Sequence, residues 1–278
     1  MSIFGCKCCP ENQSAPQRAE LFQLGGDPGR VDHVLALAGN PNTGKSTVFN
    51  ALTGMRQHTG NWPGKTVTRA EGMFAHEGRN YQLIDLPGTY SLLATSEDEV
   101  IARDFVLFGQ PDATIVVLDA THLERNLNLA LQVLEITDRV VICLNLMDEA
   151  RRRGLQVDDA ALSEELGVPV VPTVARNGEG LPRLRATIAR LCAGELATAP
   201  RRVAVGDQDW AGVEQLAARL ENALPGLPNA AWVARRLLDG DERIEQALVG
   251  GELARLYGLP TPSGPAERRT PHPAAVPA

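Results

Sequence analysis

The residues Gly39-Asn40-Pro41-Asn42-Thr43-Gly44-Lys45-Ser46 fit the spacing G-x-x-x-x-G-K-[ST], which suits a grip on nucleotide phosphates. Gly39 and Gly44 let backbone amides come close to phosphate oxygens. Lys45 brings a point charge to the β- and γ-phosphates, and the Ser46 hydroxyl, just before Thr47, is placed to ligate Mg²⁺. By itself the pattern specifies phosphates and not a base.

Four further elements follow in order. Thr66 lies in a segment carrying Gly60, Pro63, Gly64, Lys65, Val67 and Thr68, where its hydroxyl can complete a Mg²⁺ shell when a γ-phosphate is present. Asp85-Leu86-Pro87-Gly88 ends an apolar run, with a carboxylate to hold the metal through water and a glycine amide for the γ-phosphate. Asn145-Leu146-Met147-Asp148 ends another. There Asp148 can accept both N–H groups of a guanine edge, and Asn145 can tie the base loop to the phosphate loop. Val174-Ala175-Arg176 can offer the Ala175 amide to the guanine O6. Taken singly, each has a bland reading, such as an ordinary Pro-Gly turn. All five in this order point to a GTPase-type site for GTP or GDP.

The elements needed to position these loops are legible in the pattern. Val34–Ala38, Ala113–Asp119 and Val140–Asn145 are near-continuous apolar runs, expected for buried parallel strands. Thr66–Phe74 and Asn80–Asp85 read as strands joined by a hairpin turn at Glu77-Gly78-Arg79-Asn80, and Val168–Thr173 as the last strand. Apolar spacing predicts helices after Ser46 and over 97–108, 123–135, 158–166 and 181–192. The expected fold is α/β, a P-loop GTPase domain over 33–196, followed by a small all-helical domain over 203–258. Residues 1–32, with Cys6, Cys8 and Cys9, and the proline-rich 259–278 read as disordered tails. No second Cys-x-x-Cys partners the cysteine cluster, so a flexible thiol-rich tail is favoured over a metal or acylation site.

The composition narrows the function classes. The chain has 278 residues, a net charge of −7 and 44% hydrophobic residues, an ordinary globular balance that argues against nucleic acid as partner. No apolar run approaches the roughly 20 residues that span a bilayer. The expected location is cytoplasmic, at the inner face of the cell membrane through a partner or an absent membrane domain. His33, His58 and His76 form no spaced metal site and read as solvated or structural.

Together the motifs resemble the N-terminal cytosolic G domain of the ferrous iron transporter FeoB family, a TRAFAC-class GTPase. Gly60-Asn61-Trp62-Pro63-Gly64 ahead of Thr66 is the most discriminating piece, and Trp232–Asp241 resembles that family's helical, GDI-like domain. The resemblance implies that Lys45 binds phosphates, Ser46, Thr66 and Asp85 hold Mg²⁺, Gly88 meets the γ-phosphate, and Asn145, Asp148 and Ala175 read guanine. It also implies K⁺ held near Asn42, in potassium-stimulated members. The partner implied is a membrane permease domain or a separate Fe²⁺ transporter subunit, and an oligomer is compatible with it.

Three departures bear on mechanism. Thr89 stands where Ras-like enzymes carry a water-orienting Gln, so hydrolysis is expected to be slow. Leu146 replaces the usual Lys, and Val174 a usual Ser, so base affinity is expected to be modest. Two alternatives stay open: an Era- or EngA-type GTPase of ribosome assembly, which normally adds a basic RNA-binding domain, and a GTP sensor that does not hydrolyse.

Overall fold

The computed structural model describes residues 31–54, 57–62, 65–93, 96–201, 207–227, 229–251 and 254. The cysteine cluster, the proline-rich tail, Pro63 and Gly64 lie outside the described residues. The chain divides near residue 205 into two compact units.

In the first unit the strands are β1 (His33–Gly39), β2 (Gln57–Asn61), β3 (Thr68–His76), β4 (Arg79–Asp85), β5 (Ala113–Asp119), β6 (Val140–Asn145) and β7 (Val170–Pro172). The helices are α1 (Lys45–Thr53), α2 (Glu97–Phe108), α3 (Leu123–Ile136), α4 (Met147–Arg152), α5 (Asp159–Leu166) and α6 (Leu181–Cys192). The sheet order is β2-β3-β4-β1-β5-β6-β7. The run from β4 to β7 is parallel, and the β2–β3–β4 end is antiparallel.

Parallel strands need crossovers, and the helices that supply them cover both faces. Alternate residues of the central strands, Leu35 and Leu37, Ile115 and Val117, Val141 and Cys143, pack with Phe49 and Leu52 of α1 and Leu184 and Ile188 of α6. Each fully buried large apolar side chain there contributes roughly 1.5–3 kcal/mol. Helices α2 and α3 lie along the strands with each other. Helix α2 is capped by Ser96, whose hydroxyl accepts from the Glu99 amide at 3.2 Å.

Three elements differ from the sequence expectation. Residues 57–61, to which the sequence pattern assigns no element, form β2, an added edge strand. Strand β3 begins at Thr68 and not at Thr66, because Trp62 and Val67 close the connection by a backbone bond of 3.0 Å. Asn145–Asp148 continues into the short α4, which the apolar pattern did not mark.

The second unit holds α7 (Asp207–Ala223), α8 (Ala230–Leu238) and α9 (Glu242–Val249). Helix α8 packs on both others, burying Val213, Leu220, Val233 and Ile244. The Asp241 carboxylate accepts from the Arg243 and Ile244 amides at 3.1 Å and fixes the start of α9. Among the described residues no helix is long and apolar enough to cross a membrane.

Candidate functional site

The phosphate-binding motif occupies the turn from β1 into α1. Its backbone is shaped by two left-handed residues, Asn42 (φ 67°) and Gly44 (φ 81°), and the Thr43 hydroxyl donates to the Asn40 carbonyl at 2.9 Å. At Gly39 a Cβ would lie 2.9 Å from the Val117 carbonyl oxygen, so the strand cannot carry a side chain there. The first-turn amides of α1, at Lys45, Ser46 and Thr47, have no intrahelical acceptor and face an anion site by construction. Ser46, Thr47 and Asn42 are exposed, whereas Asn40 is buried and donates to the Arg125 carbonyl at 3.5 Å.

Strand β4 runs beside β1, with Leu37 opposite Asp85, so the Asp85 loop emerges next to this turn. Gly88 faces Pro41, and a Cβ on it would meet the Pro41 backbone at 3.5 Å. The Lys45 ammonium donates to the Asp85 carboxylate and, at 2.7 Å, to the Leu86 carbonyl. Burial pushes the Asp85 carboxyl above the usual range, and the Lys45 charge and hydrogen bond pull it back only in part. Ser46 and Asp85 are oxygen donors of the kind Mg²⁺ takes, and the site already draws a cation onto Asp85.

On the far side of the turn, Asn145 ends β6 with a buried side chain. Its amide donates to the Thr43 carbonyl at 3.0 Å, and its oxygen accepts from the Ala175 amide at 3.1 Å and the Thr173 hydroxyl at 3.3 Å. One side chain therefore joins the phosphate loop to the loop after β7. Leu146 adopts φ 63° and turns the chain into α4, and the Met147 amide donates to the Thr173 carbonyl at 3.3 Å. Asp148 accepts from Arg176, and Val174 and Ala175 are buried.

Among the described residues Thr66 takes no part in these hydrogen bonds. It is exposed in the β2–β3 connection with Lys65 and Val67, while Thr68 opens β3. No hydrogen bond from Thr66 to the phosphate loop or to Asp85 is found among the described residues. Lys65 reaches Glu97 at 3.4 Å, on exposed ground. Trp62, by contrast, is buried. Its ring meets Phe105 of α2 edge-on at 5.5 Å, with the Arg69 guanidinium 5.4 Å from its centroid. Arg69 is held in turn by Glu71 at 2.6 Å, and Glu71 accepts from Gln82 at 2.9 Å.

Sequence reasoning passed over several supports. Thr173, the end of the last expected strand, also bonds the Cys143 thiol at 3.3 Å. Burial pushes that thiol up to about 12 despite the Thr173 contact, which makes it an inert core group. After β5, burial would raise Asp119, but the Thr121 hydroxyl and amide and His122 outweigh it and hold its carboxyl below the usual range. A short polar residue directly after an apolar run was the available signal for both. Arg176 pairing with Asp148 had no signal in spacing. Among the described residues no group of three or more His, Cys, Asp or Glu is gathered for a metal.

Comparison with known proteins places this arrangement in a lineage. The family model for ferrous iron transport protein B matches residues 33–188, more than half of the chain. The Fe(2+) transport protein A/Fe(2+) transporter FeoB fusion protein of Porphyromonas gingivalis is 40% identical over 253 residues, covering 90% of this chain and 30% of that one. The chain thus spans under a third of that relative's length. The cytosolic domain of L. pneumophila FeoB superposes with TM-score 0.70 at 37% identity, over 80% of this chain and 88% of that one. The cytosolic domain of the T. maritima FeoB iron transporter in a GDP form gives 0.69 at 38%, over 83% and 87%. The motif loops at the carboxyl ends of β1, β4, β6 and β7 and these matches lead to one conclusion: the chain belongs to the ferrous iron transport protein B family and carries its G domain.

Proposed function

We propose that this chain binds GDP and GTP, hydrolyses GTP slowly, and passes its nucleotide state to the membrane part of a ferrous iron uptake system. The observation that carries the reading is Asn145, whose side chain links the phosphate loop to the loop after β7, with Asp148 beside it. That link sets the distance between a phosphate grip and a base reader. The relative solved in a GDP form supports the choice of guanine.

Phosphates would sit on the amides of residues 42–47 at the start of α1. Lys45 would leave Asp85 and the Leu86 carbonyl for phosphate oxygens, which frees the Asp85 carboxylate. Ser46, Thr66 and, through water, Asp85 would hold Mg²⁺, whose charge offsets that of the β- and γ-phosphates. Asn42 and nearby backbone carbonyls would hold K⁺. Thr66, exposed just before β3, would turn to the metal when GTP is bound, and the edge strand β2 beside it would move with it. Thr89 is buried directly after Gly88 and cannot orient water as an exposed Gln would, which supports a slow rate.

The test is calorimetric titration of GDP, GTP and ATP into the full chain and into Lys45→Ala, then single-turnover hydrolysis in KCl and NaCl. The expected result is guanine binding without ATP binding, a loss of roughly tenfold or more in GTP affinity for Lys45→Ala, and faster cleavage in KCl. Failure to bind either guanine nucleotide sinks the reading. Binding without cleavage in both salts removes the enzyme and leaves a sensor. Equal rates in the two salts remove the K⁺ site.

A further inference from the structure

The helix that Asp148 opens and the loop that carries Arg176 are joined by two ion pairs. Arg176 Nη2 donates to Asp148 Oδ2, and Arg151 Nη2 donates to Glu179 Oε1 at 2.9 Å. The order of charge is reversed between the two elements, acid then base on α4 and base then acid on the loop. The loop itself is closed. The Val174 amide donates to the Glu179 carbonyl at 3.0 Å, the Asn177 amide to the Val174 carbonyl at 3.1 Å, and the Glu179 amide to Asn177 Oδ1 at 3.0 Å. Arg176 therefore extends from a short fixed turn onto the Asp148 carboxylate. Its own side chain is 66% exposed, against 21% for Asp148.

The chemistry of the two donors is alike. A guanine edge offers a carboxylate its N1–H and 2-amino hydrogens side by side, and a guanidinium offers N–H groups in the same planar fork. We propose that Arg176 is an internal competitor of guanine, holding the Asp148 carboxylate in the nucleotide-free chain so that the incoming base must displace it. The inference rests on the reading of Asp148 as the residue that recognises guanine.

Two consequences follow from an exposed ion pair. Its strength limits the effect on guanine nucleotide affinity to about fivefold or less, and salt screens it. The neighbouring Arg151–Glu179 pair ties the same elements together without touching Asp148, so it separates occupation of the carboxylate from stiffness of the loop.

The experiment measures GDP affinity by calorimetry for the full chain, Arg176→Ala and Glu179→Gln, at low salt and at about 1 M NaCl. The expected result is tighter GDP binding by Arg176→Ala at low salt, by about two- to fivefold, a gap that closes at high salt, and no change for Glu179→Gln. Unchanged or weaker binding by Arg176→Ala overturns the proposal, the weaker result meaning that the guanidinium supports the base. Equal tightening in both variants overturns it in favour of a loosened loop. If the unaltered chain binds no GDP, the functional reading itself has failed, and the competitor falls with it.

Discussion

Asn145 concentrates more of the site than any other side chain. It is buried, its side chain bonds the Thr43 and Ala175 backbone and the Thr173 hydroxyl, and it spans loops 102 and 30 positions away in sequence. Its position also explains the second glycine of the phosphate loop. Gly44 adopts φ 81°, and a Cβ there would run into the Asn145 amide, so the motif's glycine and the motif's asparagine are parts of one contact. Removing the amide leaves the Thr43 carbonyl and the Ala175 N–H short of partners in a buried place, at a cost of roughly 1–3 kcal/mol each. Asn145→Ala is therefore expected to lower GDP affinity by about tenfold or more, read by calorimetric titration. Affinity within twofold of the unaltered chain would mean that the two loops hold their places without it.

At the scale of elements, β2 is the part of the fold that its own residues argue least for. Gln57-His58-Thr59-Gly60-Asn61 has no β-branched residue except Thr59, and as an edge strand it keeps only the ladder to β3. Trp62 supplies the anchorage by burying its ring against Phe105 and Arg69. The anchorage is incomplete, because the indole Nε1–H is buried with no hydrogen-bond partner among the described residues. A strand held by one half-satisfied ring is suited to leave. Loading with a non-hydrolysable GTP analogue and Mg²⁺ is expected to shift Trp62 emission to the red as the ring reaches water. The chain has three tryptophans, and Trp210 and Trp232 lie in the helical unit, so Trp62→Phe should abolish the shift. Persistence of the shift in that variant would place the moving ring elsewhere.

For the molecule as a whole, the base of the sheet carries a pH dependence. His33 opens β1, stacks on Tyr81 at 5.3 Å and lies 3.9 Å from Asp112. Burial pushes its imidazole below the ordinary value, against the pull of Asp112, with the Arg79 charge adding to the decrease. The native state therefore binds this proton less tightly than the unfolded chain does. Stability from His33 is complete above the unfolded value of about 6.5 and is lost as pH falls through the depressed native value. Urea unfolding midpoints are expected to fall from pH 7.5 to pH 5, and less steeply in His33→Asn. An equal slope in both proteins would assign the dependence to other groups.

The sequence by itself determined the order of loops, the buried parallel strands and most helix limits. Near-continuous apolar runs and apolar spacing of 3.6 depend only on which residues must leave water, and helix α2 at 97–108 and α6 at 181–192 match the spacing residue for residue. The glycines and the lysine of the phosphate loop are likewise legible, because their conformational and charge requirements are local. Tertiary structure alone decided the rest. Strand β2 exists because a neighbouring edge and the ring of Trp62 hold it, not because its residues favour it. Lys45 rests on Asp85, and Arg176 on Asp148, because opposite charges on loops far apart in sequence emerge at the same end of the sheet. Pairings of that kind are set by the crossover geometry of the fold, and spacing along the chain carries no record of them.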